Sequence, residues 1–167
     1  MTIDIRQVES RADVESARDI FAEYMAWTVI VEGDAHDAPT FRGQDVELAT
    51  LPAMYVPPAG RLLLAYDGAC VAGCIALKPH DTHLCELKRF YVRPEFRGRG
   101  VGARLVERAI SEALAVGYGR MFLDSHVSMR SAHAIYLAAG FRFVDAPADF
   151  PERFRPVVIF MERQLIA

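Results

Sequence analysis

Hydrophobic and polar positions along this chain follow two periods, which predicts strands interleaved with helices. Short segments in which apolar residues alternate with polar ones, or run continuously between turn signals, favour strands. Seven segments have this pattern: 3–8, 61–66, 69–77, 84–92, 120–124, 141–145 and 157–164. The Asp67-Gly68 pair between the second and third is a strong hairpin signal, so these strands are expected to pair antiparallel.

Apolar residues at spacings of three and four predict amphipathic helices over 13–28 and 101–116. Gly117 follows the second helix and is expected to end it. Shorter helices are predicted over 43–50 and 128–139, whereas the rest of 29–58 has no clear period. The order of elements predicts a single domain, 1–167, with a mixed α/β sheet that is antiparallel in its first half and carries a crossover helix in its second.

The junction between the strand 84–92 and the helix 101–116 is rich in glycine and arginine. It reads Arg97-Gly98-Arg99-Gly100-Val101-Gly102. Glycine lets the backbone approach a ligand closely, and the first amides of a helix have no acceptor within it. The helix dipole adds positive potential, and Arg97, Arg99 and Arg104 have the same sign. The segment therefore predicts a binding site for a phosphate-bearing cofactor.

Three templates compete for this site. A P-loop is excluded because no Lys-Ser or Lys-Thr follows the glycines. The pattern Gly98-x-Gly100-x-x-Ala103 satisfies a short dinucleotide fingerprint, with Asp124 as the ribose-binding acid. However, residues 93–97 separate these glycines from their strand, and too little chain follows for further βαβ units. The third template, Arg/Gln-x-x-Gly-x-Gly/Ala, is matched by Arg97-x-x-Gly100-x-Gly102 and belongs to the GNAT superfamily of N-acetyltransferases.

Three further segments carry the resemblance to this superfamily. Residues 85–97 resemble its fourth strand running into the acyl-CoA loop. Residues 134–141 resemble its helix with a Tyr, here Tyr136, followed by a Gly-Phe entry into the next strand. Residues 157–165 resemble its final strand. The likeness covers nearly the whole chain, most strongly over 84–141 and least over 22–59.

The resemblance implies an α/β GNAT fold, with a twisted, mostly antiparallel sheet of about seven strands flanked by about four helices. It also implies acetyl-CoA as the co-substrate and no metal. In this superfamily the fourth strand bulges and splays from the fifth, and the pantetheine arm pairs with strand backbone between them. Carried over, that backbone belongs to Phe90, Tyr91 and Val92. The diphosphate would be held by Arg97, Gly98, Arg99, Gly100, Val101, Gly102 and Ala103.

Acetyl transfer to an amine needs a group that accepts the amine proton. The resemblance implies direct attack in a ternary complex, without an acyl-enzyme, and Glu86 is the candidate base. Burial would raise the pKa of Glu86 toward a useful range. The alternative is a surface glutamate paired with Lys88 or Arg89, since Glu86 and Lys88 share a strand face.

Tyr136 is the candidate acid for the leaving thiolate, because a phenol with a pKa near 10 can donate a proton. The alternative is a core aromatic beside Ala132, Ile135 and Ala139. Seven residues before this Tyr the family often has an Asn that touches the pantetheine arm, and Met129 stands there instead. Ser128, Ser131 or a water would have to replace that contact.

The acceptor pocket is expected to include residues 23–55. This segment suggests a small cationic amine, although a peptide N-terminus also fits and a solvated loop is the simpler alternative. Its acidic and aromatic residues are Glu32, Asp34, Asp37, Asp45, Glu47, Tyr24, Trp27 and Tyr55.

Composition narrows the function further. The chain has 167 residues and a net charge of −3, which argues against a nucleic-acid surface. It has no apolar run of membrane-spanning length and no signal peptide at 1–6. Its three cysteines favour reduced thiols, packed as small hydrophobes, in the cytoplasm. His80-x-x-His83-x-Cys85 could form part of a metal cluster, but no fourth ligand follows at a standard zinc spacing. A non-catalytic acyl-CoA sensor and a hydride-transfer enzyme stay open, as does a homodimer, which is common in the superfamily.

Overall fold

The structure, a computed structural model, describes residues 2–39 and 41–166, without the side chains of Asp34 and His36. The described residues form seven strands and four α-helices. The strands are β1 (Ile3–Gln7), β2 (Arg61–Asp67), β3 (Cys70–Pro79), β4 (Leu84–Val92), β5 (Arg120–His126), β6 (Arg142–Val144) and β7 (Val158–Gln164). The helices are α1 (Arg11–Glu32), α2 (Gln44–Thr50), α3 (Val101–Val116) and α4 (Arg130–Ala138).

All seven strands form one mixed sheet in the order β1-β2-β3-β4-β5-β7-β6. Every neighbouring pair is antiparallel except β4 and β5, which are parallel. Their pairing covers only three residue pairs, from Leu84 with Arg120 to Glu86 with Phe122. Beyond Glu86 the two strands separate, so the sheet opens at its centre. The predicted sheet, its crossover helix and its antiparallel first half are confirmed.

Two buried clusters cover the two faces of the sheet. The first cluster joins α3 to the strands through Leu105, Val106, Ile75 and Met121, and Tyr136 and Phe141 belong to it. The second cluster joins α1 to the opposite face through Ile20, Phe21, Leu62 and Leu64. The open centre of the sheet therefore lies between two helical layers.

Helix α1 is longer than the periodicity predicts. It begins one residue after Ser10, whose hydroxyl accepts from the Asp13 amide in a capping box, and it continues to Glu32 instead of ending at residue 28. The extra turn escapes the pattern because its apolar residues Val29 and Ile30 are 53% and 82% exposed. The longer helix brings Glu32 to the centre of the molecule.

Strand β4 contains one extra residue near Arg89. Lys88 pairs with Ala76 and Tyr91 pairs with Cys74, so three steps on β4 match two on β3. Arg89 has a φ of 55°, in the left-handed region. A bulge of this kind reverses the alternation beyond it. Lys88 and Arg89 consequently face the same side, and the bulge implied by the family resemblance is present.

The cysteines only partly follow the prediction. Cys74 and Cys85 are buried, as expected for thiols packed as small hydrophobes, but Cys70 is exposed at the start of β3, next to the turn from β2. Within residues 2–39 and 41–166, no helix is both long and apolar enough to cross a membrane.

Candidate active site

A single cavity of about 660 Å³ occupies the opening between β4 and β5. It extends from the glycine-rich loop to the C-terminal end of α1. The sequence-predicted residues in its wall are Glu86, Phe90, Tyr91, Val92, Arg97, Gly98, Gly100, Val101, Gly102, Ala103 and Tyr136. The structure therefore brings the two candidate catalytic residues and the predicted cofactor loop into one space.

The loop has the geometry of an anion cradle. Gly98 and Gly100 have φ values of 73° and 77°, which favour glycine, and Gly100 precedes α3 with no side-chain cap. The first amides of α3 are thus directed into the loop without an acceptor inside the helix. A Cβ on Gly102 would lie 2.9 Å from the end of the Ile135 side chain and 3.0 Å from the Phe90 ring, so any larger residue there would have to displace both side chains. These features fit a diphosphate.

The three arginines near the loop have different surroundings. The Arg97 Nε donates to the Val92 carbonyl at 2.9 Å, and its guanidinium lies 5.6 Å from the Trp27 ring. Arg99 is not part of the cavity lining, and its guanidinium lies 5.8 Å from the Phe96 ring. Arg104 was expected to add to the loop's positive charge, but its Nη2 donates to the Ile3 carbonyl on β1. Arg104 is exposed, and this bond ties its side chain to the edge strand of the sheet instead of to the loop.

The end of β4 supplies main chain to the cavity wall. Because β5 has separated from it, β4 has no strand partner on that side beyond Glu86. The side chains of Phe90 and Val92 pack against the first cluster, while Tyr91 packs in the second and donates to Glu23 at 3.0 Å. The core-packing interpretation of these residues is confirmed, and all three also line the cavity, so pairing of their backbone with a pantetheine arm stays a prediction.

Glu86 is buried, with 5% of its surface exposed, and its carboxylate is held by basic groups. Lys88 Nζ donates to Oε1 at 3.0 Å, and His80 Nε2 lies 2.7 Å from Oε2. Burial acts to raise the pKa of Glu86, but Lys88, His80 and Lys78 outweigh it, so that the pKa is lowered. The expected upward shift is therefore wrong, because the strand places these cations around the carboxylate. The surface-residue alternative is also wrong in part, since the ion pair with Lys88 is buried.

Asp124 on β5 completes a carboxyl pair with Glu86. Its side chain lines the same cavity. Burial raises the pKa of Asp124 to about 7, and the neighbouring charge of Glu86 and a hydrogen bond with it act in the same direction, against Lys88 and Arg89. An ionised carboxylate thus lies beside a carboxyl whose pKa is raised toward neutral pH, a pair that can accept and share a proton.

Tyr136 is buried at the other wall of the cavity, with ring centres 5.5 Å from Phe90 and 5.8 Å from Phe141. Burial raises the pKa of its hydroxyl well above the ordinary value, so the phenol keeps its proton at neutral pH. Met129, at the position of the family Asn, also lines the cavity and accepts a hydrogen bond from Ser125 at 3.5 Å. Ser128 and Ser131 lie in the same wall.

Most of the described acids predicted for the rim from 23–55 lie outside the cavity lining. Glu47 forms a bidentate pair with Arg89, with both N–O distances 2.7 Å, and also accepts from the Tyr55 hydroxyl at 2.7 Å. Asp37 and Asp45 are exposed, and the side chain of Asp34 lies outside the described residues. Of the acidic rim residues the structure describes, only Glu32 lines the cavity, together with the aromatic Tyr24 and Trp27. Tyr55 is buried away from the cavity lining.

The similarity of the chain to known proteins identifies its family. The profile described as Acetyltransferase (GNAT) family matches residues 18–141. The chain belongs to the GNAT family. The enzyme class predicted from the sequence, an N-acetyltransferase that depends on acetyl-CoA, is confirmed.

The relatives and structures similar to this GNAT enzyme cover most of its length. An uncharacterized N-acetyltransferase of Schizosaccharomyces pombe is 36% identical over 75% of this chain and 77% of its own. An IAA acetyltransferase of Azospirillum brasilense is 32% identical over 82% of this chain and 88% of its own. The fold is similar to that of a Salmonella typhimurium acetyltransferase solved with acetyl-CoA. That match has a TM-score of 0.73, 21% identity, and 99% and 95% coverage.

Sequence reasoning on this GNAT enzyme gave no role beside Glu86 to Asp124 in the cavity wall or to His80, and it did not single out Glu32. Asp124 is predicted only as the ribose-binding acid of the dinucleotide alternative, although period-two alternation from the parallel pair Glu86–Phe122 would place it on the face of Glu86. His80 was considered only as a metal ligand, and no local signal reveals its contact with Glu86. Glu32 was one acid among several. Among the residues that the structure describes, no group of three or more His, Cys, Asp or Glu is arranged to hold a metal.

Proposed function

We propose that this GNAT enzyme transfers the acetyl group of acetyl-CoA directly to a primary amine of a small, cationic molecule, or to a peptide N-terminus, in a ternary complex. The observation that carries the proposal is the single cavity that joins the loop 97–103 to Glu86 and Tyr136. In the reaction the amine nitrogen loses a proton and bonds to the acetyl carbon. The carbon–sulfur bond breaks, and the thiolate takes a proton, giving an amide and the thiol.

The glycine-rich loop would hold the diphosphate through main-chain amides, and the backbone of residues 90–92 would pair with the pantetheine arm. The left-handed glycines and the uncapped start of α3 support the first role. The separation of β4 from β5 supports the second.

Glu86 would accept the proton of the amine. It is buried in the cavity wall, ionised at neutral pH because its pKa is lowered, and next to the carboxyl of Asp124. Lys88 would balance the charge of the pair. Tyr136 would donate a proton to the departing thiolate, and its high pKa keeps that proton available.

The experiment measures thiol release from acetyl-CoA across a panel of amines for the wild type, Glu86→Gln and Tyr136→Phe. We expect kcat to fall by roughly 10²–10⁴-fold for Glu86→Gln and by about 10²-fold for Tyr136→Phe. The Kd for acetyl-CoA should change little, since neither side chain is placed at the loop.

The matched controls are Glu112→Gln and Tyr118→Phe. Glu112 forms ion pairs with Arg61 and Arg108, and the buried Tyr118 donates to the Ala59 carbonyl at 3.0 Å; neither lines the cavity. Their turnover should match that of the wild type. Undiminished turnover in Glu86→Gln and Tyr136→Phe would refute both roles, and tight acetyl-CoA binding without any acetylated amine would favour a sensor. The cytoplasmic location and the homodimer stay predictions, and light scattering tests the latter.

A further inference from the structure

Glu32 is a buried acid without a structural partner. It is the last residue of α1 and is 4% exposed, in the wall of the cavity. Neither of its carboxylate oxygens has a hydrogen-bond partner among the described residues. An unpaired buried carboxyl is costly, and burial raises the pKa of Glu32 to about 7. Its position at the C-terminal, negative end of a helix adds to this cost.

The neighbouring cations are already bound to other acids. Arg89 acts on Glu32 electrostatically, but its hydrogen bonds go to Glu47. Lys88 donates to Glu86. Neither cation is hydrogen-bonded to Glu32, and a ligand in the cavity is left as the group with which it can pair.

That ligand group should remain positively charged throughout the reaction. The reacting amine cannot serve, because it must be neutral when it attacks and its proton leaves toward Glu86. The aromatic rings of Tyr24, Trp27 and Phe41 line the cavity with Glu32, and aromatic faces favour cations. These surroundings suit an ammonium group that does not react.

Resting on the proposed function, we infer that Glu32 binds a second positive charge on the acceptor, which is therefore a small diamine or an amine with a comparable cationic group. The second ammonium donates its hydrogen bonds to the Glu32 carboxylate, and the first amino group is directed to Glu86. Glu32 then determines specificity without taking part in the acetyl transfer.

The test compares acceptors that differ only in one terminal group: 1,4-diaminobutane, 4-amino-1-butanol and 4-aminobutanoate. A charged hydrogen bond to a buried acid predicts that kcat/KM is at least roughly tenfold higher for the diamine than for the alcohol. In Glu32→Gln, KM for the diamine should rise about tenfold with little change in kcat, while values for the alcohol stay the same. Asp45→Asn, which removes an exposed acid of the same segment, should keep the wild-type preference.

Calorimetric binding of the diamine to the protein loaded with CoA gives a readout that needs no turnover. We expect binding to the wild type and at least tenfold weaker binding to Glu32→Gln. If the diamine binds both proteins equally, or binds neither, the inference is overturned whether or not amines are acetylated. Equal turnover of diamine and alcohol by the wild type overturns it too. Glu32-dependent binding without acetylation of any amine would instead refute the proposed function alone.

Discussion

At the residue scale, the shifted pKa of Glu32 makes a prediction about stability. The folded state holds this proton up to about pH 7, whereas an unfolded glutamate loses it near its ordinary value of 4.5. The folded state therefore binds more protons between these values, and the free energy of unfolding falls as pH rises through this window. Glu32→Gln removes the fall, so relative to wild type it should gain on the order of 1–3 kcal/mol between pH 4.5 and 8.

Urea unfolding at pH 4.5 and pH 8 measures this difference. The buried amide of the variant adds an offset that does not depend on pH, so only the change between the two values counts. Asp124 faces the same cavity and Arg89 lies close, and both are present in either protein. Asp45→Asn serves as the control and should not differ from wild type by more than about 0.5 kcal/mol at either pH. A pH-independent difference for Glu32→Gln would contradict the assignment of its pKa.

At the element scale, substitutions of the two glycines that flank α3 can distinguish the effect of backbone strain from an effect on ligand binding. Gly100 before the helix and Gly117 after it have φ values of 77° and 101°, and a Cβ on either would meet open space. Alanine at either position should cost about 1–2 kcal/mol of stability. Gly100 lines the cavity, so Gly100→Ala should also raise the Kd for CoA by roughly tenfold as the first amides of α3 shift.

Gly117→Ala is the matched control, and its Kd for CoA should stay within about twofold of wild type despite a similar loss in the urea midpoint. Pantetheine, which lacks the nucleotide diphosphate, should bind both variants as it binds the wild type. Equal weakening of CoA binding by the two substitutions would mean that strain, and not contact with the diphosphate, is responsible.

Structure within single elements could be predicted from the sequence, whereas contacts between distant elements could not. Strand β4, helix α3 and the turn at Asp67-Gly68 follow from local periods and turn residues, so the sheet and the loop could be predicted. The lowered pKa of Glu86 could not be predicted from local sequence. His80 contacts its carboxylate from the turn between β3 and β4, and Asp124 lies beside it on β5. The ion pair between Arg89 and Glu47 could not be predicted either, since it depends on a bulge in β4 and joins residues far apart in sequence.

At the scale of the whole molecule, the shortest central strand pairing, between β4 and β5, lies beside the cavity. The halves β1–β4 and β5–β7 are joined by only three residue pairs, yet the first buried cluster includes Leu63 and Ile75 from one half and Met121 and Met161 from the other. Helix α3 packs on the strands of the first half and on α4, which lies between β5 and β6 in the chain. We therefore predict that the chain unfolds as one cooperative unit, with the same midpoint by far-UV and near-UV circular dichroism.

Binding of acetyl-CoA tests whether the two halves unfold together, because its proposed site includes residues of both halves. A ligand that binds only the native state at 100 times its Kd adds about 2.7 kcal/mol to the free energy of unfolding. For a protein of this size the Tm should rise by roughly 5–10 °C in a single transition. Gly100→Ala, with its weaker binding, should show a smaller rise at the same concentration, and Gly117→Ala a rise equal to that of wild type. Two thermal transitions, with acetyl-CoA raising the Tm of only one, would contradict the prediction. They would mean that the halves fold separately and that acetyl-CoA binds to only one of them.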